Sequence, residues 1–223
     1  PIPLQYNEHV RNYIEVYARQ KGPLTSRVLG LSALYFPMFE QALDREGLPL
    51  ELKNLAIVES ALNPVAVSRA GATGIWQFMY GTAKLYGLKI NSYVDERRDP
   101  YKATLAACHY LKDMYDIYQD WLLAIASYNC GPRNINKAII RSGGKTDFWE
   151  IRKYLPAETR GYVPAFIAAC YIMRYAAEHN IAAVPFEFPF HRTDTIAVAN
   201  ATTFREISAL TGLPVKTIAY LNP

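Results

Sequence analysis

The sequence has little of what marks several common protein classes. It contains only three cysteines and four histidines, and their spacing fits neither a disulfide framework nor a zinc site. No run reaches the roughly 18 apolar residues of a membrane-spanning helix, and there is no internal repeat. The net charge is only +4, with lysine and arginine scattered along the chain, so nucleic acid is not an expected partner. We therefore expect a globular protein with no metal ion and no cofactor, whose mildly basic surface suits an anionic polymer.

Hydrophobic residues make up 51% of the 223 residues, enough for one cored domain and a small appendage. Helical periodicity predicts helices over residues 4–20 and 27–45, the second capped by Ser26. Asp99 and Pro100 are typical of a helix start and predict a long buried helix after them. Further helices are predicted over residues 121–128, 148–155 and 158–179, with one starting near 132. Strand patterns are scarce before residue 184, so the predicted fold class is all-α.

Residues 51–80 contain the most informative pattern in the chain. Leu52, Leu55 and Glu59 share one helical stripe, so a core-facing stripe carries Glu59 to the edge of the core. Asn63-Pro64 is predicted to end this helix about one turn later, where the helix dipole disfavours a negative charge. Burial and dipole both predict a raised pKa for Glu59, as a general acid near neutral pH requires. Gly74 is predicted to begin the next helix.

Position alone does not assign a role to Glu59, because most glutamates on amphipathic helices point to water. The neighbouring residues are more specific. Four short motifs follow one another between residues 59 and 162. They are Glu59-Ser60, Gly74-Ile75-Trp76-Gln77, Ser127-Tyr128-Asn129 and Glu158-Thr159-Arg160-Gly161-Tyr162.

In this order, the motifs resemble those of the family 1 lytic transglycosylases (glycoside hydrolase family 23), which are related to goose-type lysozyme. Ile75 and Trp76 depart from the common Gly-Leu-Met-Gln form, as in a membrane-bound branch of the family. The resemblance implies a lysozyme-like all-α domain. It also implies a lyase that cleaves the MurNAc-β-1,4-GlcNAc bond of peptidoglycan without water, leaving 1,6-anhydroMurNAc ends.

The resemblance implies that Glu59 is the single general acid and base. Ser68 and Gln77 would hydrogen-bond Glu59 or the substrate's acetamido group, and Tyr128 would bring a phenol near the carboxylate. The full set of implied substrate-binding residues is Ser60, Ser68, Trp76, Gln77, Phe78, Tyr128, Asn129, Glu158 and Tyr162.

Several of these residues have a structural alternative. Trp76 and Phe78 either stack on sugar faces or pack in the core. Glu158 either touches substrate or serves as a first-turn acid of its helix. Asn129 either holds its loop or forms part of the groove wall.

Two other functions are open. A hydrolytic muramidase would need a second carboxylate to hold water, for which Asp95, Glu96 and Asp99 are the candidates. A peptidoglycan-binding module without catalysis would keep the groove alone. A thiol nucleophile at Cys130 is disfavoured, because no histidine has a sequence context that marks it as a base.

The C-terminal part differs in character. Residues 184–190 are too rich in proline for a helix and predict a linker or strap. Residues 194–198 alternate like a strand, and residues 204–211 and 215–221 predict helices. This order resembles part of a LysM sugar-binding module, although a helical hairpin padding the main domain fits as well. We therefore expect a catalytic domain over residues 1–184 and a partial LysM-like appendage over residues 185–223.

The first residues resemble neither a signal peptide nor a lipid-attachment sequence. Either the protein is cytoplasmic, or a targeting segment belongs to a longer precursor. The family resemblance favours the second, and implies a periplasmic monomer whose precursor associates with the outer membrane through an N-terminal anchor.

Overall fold

The computed structural model describes residues 1–185 and 193–223. A π-helix, Val16–Gln20, joins the first two α-helices, and 3-10 turns occupy Leu50–Asn54, Arg152–Tyr154 and Ala177–His179. β pairing within the described residues is limited to isolated bridges, which confirms the all-α prediction. The α-helices are α1 (Glu8–Glu15), α2 (Gly22–Arg45), α3 (Leu55–Ser60), α4 (Tyr80–Leu85), α5 (Pro100–Tyr118), α6 (Trp121–Cys130), α7 (Pro132–Arg141), α8 (Phe148–Ile151), α9 (Ala157–Tyr175), α10 (Phe204–Thr211) and α11 (Val215–Leu221).

Helix α9 is the centre of the main body. It contacts α1, α3 and α6, while α5 packs between α2 and α6. Phe39, Phe166 and Leu123 are fully buried in the core that these helices share. Within the described part of the chain, no helix combines the length and apolarity needed to cross a bilayer. The short helix α3 is thus held against a large, well-packed core.

Helix α3 ends earlier than its sequence predicts. Leu62 donates its backbone N–H to the Ala56 carbonyl at 3.3 Å, and both Ala61 and Leu62 have left-handed backbone angles. This is a Schellman-type helix end, and the buried Leu62 side chain stabilises it. The predicted stop at Asn63-Pro64 is therefore wrong by one turn, but Glu59 does lie in the last turn of its helix.

The helix predicted to begin at Gly74 is absent. Residues 74–77 form a turn, closed by paired backbone hydrogen bonds of 3.1 Å between Thr73 and Phe78. Gly74 has a φ of 88°, and a Cβ added there would lie 1.7 Å from the Arg97 carbonyl oxygen. Only glycine fits this approach, so the residue marks close backbone packing, not a helix start. The helix begins later, at Tyr80.

The N-terminal helices also differ from prediction at their starts. Helix α1 begins at Glu8, where Asn7 accepts a hydrogen bond from the Val10 N–H. Helix α2 begins at Gly22 with proline in its first turn, so Ser26 lies inside the helix and does not cap it. The start of α5 is confirmed, since Asp99 accepts hydrogen bonds from the first-turn amides.

The C-terminal helices α10 and α11 are confirmed at the predicted residues, but the strand predicted over residues 194–198 is wrong. That segment has no regular structure, because exposed Ile196 and Val198 find no strand to pair with among the described residues. The LysM-like appendage is accordingly not confirmed. Helix α11 buries Ile218 and rests Leu221 against the main core, as a padding hairpin would.

The predicted linker over residues 184–190 lies mostly outside the described residues, since 186–192 are not described. The division of the chain at residue 184 stays a prediction.

Candidate active site

Glu59 is half-buried where α3 meets α9. Its Oε1 accepts a hydrogen bond from the Tyr162 hydroxyl. Burial raises the pKa of Glu59 from 4.5 to about 7, the Tyr162 hydrogen bond opposes the rise, and the Glu158 charge adds to it. The predicted rise in pKa is confirmed, with desolvation as its main cause.

The phenols of Tyr162 and Tyr128 lie near the Glu59 carboxyl group. Burial raises the pKa of both Tyr162 and Tyr128 well above the ordinary value for a phenol, and the nearby Glu59 charge raises them further. Both phenols therefore stay neutral at physiological pH. Tyr162 is a hydrogen-bond donor to the carboxylate, whereas the Tyr128 hydroxyl donates to the Trp76 carbonyl at 2.8 Å.

Ser60 connects the first motif to the second. Its hydroxyl donates to the Ile75 carbonyl at 2.8 Å and accepts from the Asn63 N–H at 3.1 Å. Together with the Tyr128 hydroxyl, it holds the 73–78 turn beside the end of α3. Ser60 thus has a structural role here, and its contact with substrate stays a prediction.

The predicted hydrogen bonds from Ser68 and Gln77 to Glu59 are not formed. Gln77 Nε2 donates to the Gly74 and Ala66 carbonyls at 2.8 and 3.2 Å. The Ser68 hydroxyl accepts from the Ala72 N–H at 3.0 Å. Both side chains stabilise the loop between α3 and α4, because its backbone groups lack helical partners. Their contact with an acetamido group stays a prediction.

Sugar stacking by Trp76 and Phe78 is contradicted by their burial, at 0% and 3% exposed. Trp76 packs against Phe39 with ring centroids 5.2 Å apart, and its Nε1 donates to the Thr104 hydroxyl at 2.8 Å. Phe78 meets Tyr128 edge-on. Of the two alternatives for these aromatic residues, core packing is the one the structure shows.

Asn129 and Glu158 lie at the junction of α6 and α9. Asn129 Oδ1 accepts a hydrogen bond of 2.7 Å from the Thr159 hydroxyl, which fits the loop-holding alternative. Glu158 is exposed in the first turn of α9, and its charge reaches Glu59. A contact between Glu158 and substrate stays a prediction.

The loop carboxylates considered for a hydrolytic enzyme are occupied by structural bonds. Asp95 pairs with Arg97 at 2.7 Å and Glu96 with Lys102 at 2.6 Å, while Asp99 caps α5. The Arg97 hydrogen bond lowers the pKa of Asp95, and the Lys102 hydrogen bond lowers that of Glu96. Neither carboxylate is in the environment of a water-activating base.

Cys130 is a free thiol whose pKa is raised by burial. A reactive cysteine needs a lowered pKa, so a thiol mechanism gains no support.

A pocket of about 320 Å³ opens beside Glu59. One wall comes from the π-helix and the start of α2, with Tyr17, Lys21 and Thr25, and another from Ile172 of α9. The sequence patterns predict no site role for these N-terminal residues. Only the tertiary fold brings them to Glu59, and no local motif marks them.

Residues 36–151, which include Glu59 and the second and third motifs, match the family model described as the transglycosylase SLT domain. The match covers more than half of the chain, and the chain belongs to this family. The N-terminal wall of the pocket lies outside the matched range.

Among its relatives is the membrane-bound lytic murein transglycosylase D of Escherichia coli (strain K12). The two are 36% identical over 179 residues, which is 78% of this chain and 39% of that protein. The chain thus spans well under half the length of this relative.

Solved structures of a 70 kDa soluble lytic transglycosylase are also similar. One, from Escherichia coli, has a TM-score of 0.55 and 28% identity, covering 64% of this chain and 24% of the other. A complex with bulgecin A has a TM-score of 0.57 and 26% identity, covering 67% of this chain and 25% of the other. The predicted lysozyme-like transglycosylase fold is confirmed by these similarities.

Proposed function

We propose that this chain carries the catalytic site of a peptidoglycan lytic transglycosylase, with Glu59 as its only acid and base. The observation that carries the proposal is the environment of Glu59, a half-buried carboxyl group with a pKa of about 7 and a neutral phenol as its partner. The names of the relatives support the substrate class, since they are murein transglycosylases.

In the first step, protonated Glu59 donates its proton to the glycosidic oxygen between MurNAc and GlcNAc. The bond from the muramyl anomeric carbon to that oxygen breaks, and GlcNAc leaves with a free hydroxyl group. A pKa near the working pH suits this step, because a large share of the carboxyl groups is protonated and still acidic enough to donate. The Tyr162 hydroxyl then stabilises the carboxylate that remains.

In the second step, the Glu59 carboxylate takes the proton of the muramyl C6 hydroxyl. The C6 oxygen attacks the anomeric carbon of the same sugar, which closes the 1,6-anhydro ring and returns Glu59 to its protonated form. Ordinary glycosidases use a second carboxylate as base or nucleophile. An intramolecular hydroxyl already has a high effective concentration, so one carboxyl group suffices.

The structural bonds of Asp95 and Glu96 support this route over hydrolysis, because both are held by cations in the loop. The proposal also places the substrate, and therefore the protein, at the cell wall. The proposal includes a periplasmic location with outer-membrane association of a longer precursor, and the membrane-bound relative supports the membrane association.

Mass spectrometry of the products released from purified peptidoglycan tests the proposal. The unaltered protein is expected to release muropeptides lighter by one water molecule than hydrolytic products. Glu59→Gln, which keeps the shape but not the proton chemistry, is expected to release none. Ordinary reducing ends would instead indicate a muramidase, and intact strands with the unaltered protein would indicate a binding module.

A further inference from the structure

The pocket beside Glu59 contains a cation without an assigned role. Lys21 and Glu59 are the charged residues among those that line it, and much of the remaining lining is apolar, including Leu24, Val28 and Met173. Lys21 lies outside the range matched by the family model.

The backbone at Lys21 is held by an unusual helix. The Lys21 N–H donates to the Val16 carbonyl, five residues earlier, at 2.8 Å, which closes the π-helix. The buried Thr25 hydroxyl lies 2.8 Å from the Tyr17 carbonyl and 3.0 Å from the Lys21 carbonyl. Single π-turns are rare and frequently occur at functional sites. Here the π-turn fixes the backbone position from which the Lys21 side chain extends.

The Lys21 side chain is exposed. Lys53, Lys102 and Lys145 each pair with a carboxylate, but no hydrogen bond or ion pair joins the Lys21 ammonium group to any described residue. Its charge is also not among the influences on the pKa of Glu59. The Lys21 ammonium group is therefore available to a ligand in the pocket.

We propose that Lys21 pairs with a carboxylate of the glycan substrate and thereby selects which sugar binds next to Glu59. This inference rests on the proposed function. In peptidoglycan only the muramyl residue carries carboxylates, either on its lactyl group or on the attached peptide. The two glycosidic linkages along the strand otherwise look alike, so a cation in the pocket that Glu59 also lines distinguishes them. An ammonium group is a point charge and accepts either carboxylate geometry.

Binding measured by calorimetry in the Glu59→Gln background tests this, because the ligands are not cleaved. The ligands are peptide-bearing strands, strands stripped of peptide that keep lactyl carboxylates, and an uncharged chitin oligosaccharide. Lys21→Met is expected to weaken binding of a carboxylate-bearing strand about fivefold, and not binding of the chitin oligosaccharide. Lys21→Arg should restore the affinity. Lys137→Met, at an exposed lysine of α7 outside the pocket, is the matched control.

The ligand that responds identifies the source of the carboxylate. A loss confined to peptide-bearing strands indicates the peptide, and a loss confined to stripped strands indicates the lactyl group. Unchanged affinity for all ligands, or an equal loss for chitin, overturns the role of Lys21 while the product masses of the unaltered protein still support the transglycosylase. If the Glu59→Gln protein binds no glycan and the unaltered protein releases no anhydro product, the proposed function fails as well.

Discussion

Glu59 and the carboxylates of the 95–99 loop have opposite environments within one domain. Glu59 meets a neutral phenol in a half-buried site, and its pKa rises to about 7. Asp95 and Glu96 meet Arg97 and Lys102, and their pKa values fall. Burial without a cation makes an acid that can release its proton near neutral pH, whereas burial with a cation makes a permanent charge.

The ion-paired carboxylates of the 95–99 loop also help to position the residues around Glu59. Arg97, held by Asp95, donates to the Gly71 and Phe78 carbonyls at 3.0 and 3.2 Å. These bonds brace the 73–78 turn, which in turn accepts hydrogen bonds from Ser60 and Tyr128 near Glu59. The paired carboxylates position the loop, and the unpaired one is left for chemistry.

Replacing the Glu59 and Glu96 carboxyl groups by amides should show the contrast most strongly, in activity for Glu59 and in stability for Glu96. Glu59→Gln should lower kcat/KM by at least about 1,000-fold, since general acid–base catalysis contributes that much, with no loss of stability at pH 8. Glu96→Gln should lower the melting temperature by several degrees but keep kcat/KM within a few fold. Turnover assays and thermal melts of both variants check the contrast, and a similar loss of activity in both would contradict it.

The contact between the two regions can be broken at Gly74. Gly74→Ala should destabilise the fold by more than about 3 kcal/mol, because the added Cβ meets the Arg97 carbonyl and the backbone is strained as well. Gly71→Ala is the matched control, since Gly71 has a similar φ of 85° with open space around it. It should cost only about 1–2 kcal/mol. Equal losses in the free energy of unfolding, measured in urea, would show that the close approach to Arg97 is unimportant.

Removing the Tyr162 hydroxyl should raise the pKa of Glu59 further and widen its difference from the ion-paired carboxylates. Tyr162→Phe deletes the hydrogen bond that stabilises the carboxylate. We expect kcat/KM to fall about 10- to 100-fold, from the lost charge-assisted hydrogen bond, and the basic limb of the pH profile to move upward. Tyr128→Phe, which deletes a hydroxyl bonded to the Trp76 carbonyl instead, is the control. A pH profile that moves equally in both variants would contradict the assignment.

Changes in pH should affect Glu59 and the ion-paired carboxylates in opposite directions. As pH rises above about 7, Glu59 loses its proton, so kcat/KM should fall about tenfold per pH unit. Its raised pKa also makes its stability contribution fade as pH rises from 4.5 through about 7, and Glu59→Gln should therefore be relatively more stable at pH 8 than at pH 4.

Asp95 and Glu96, with lowered pKa values, should instead lose stabilisation as pH falls through the acid range. Melting temperatures of the unaltered protein and Glu59→Gln between pH 3 and 9 check both signs. Parallel curves for the two proteins would contradict the raised pKa.

Much of the site was predictable because its main residue is marked by local pattern. The stripe of Leu52 and Leu55 places Glu59 at the core edge, and the order of the motifs points to Tyr162. The roles of Gln77 and Trp76 were not predictable, because a turn and not a helix carries them, and that turn depends on Gly74 meeting Arg97.

The fold was predictable where caps and periodicity agree, as at Asp99-Pro100 and in α10 and α11. It was not predictable for the strand over 194–198, since a strand depends on a partner elsewhere in the chain. The pocket wall at Lys21 was not predictable either, because it forms only when the N-terminal helices pack beside α3 and α9.

The raised pKa of Glu59 is tested most directly by an NMR titration of the glutamate side-chain carboxyl carbons, with Glu59→Gln used to assign the resonance. We predict that Glu59 titrates near pH 7, while the Glu96 resonance titrates below its ordinary range. A Glu59 pKa near 4.5 would contradict the account, because the residue would then be a carboxylate at neutral pH without a proton to donate.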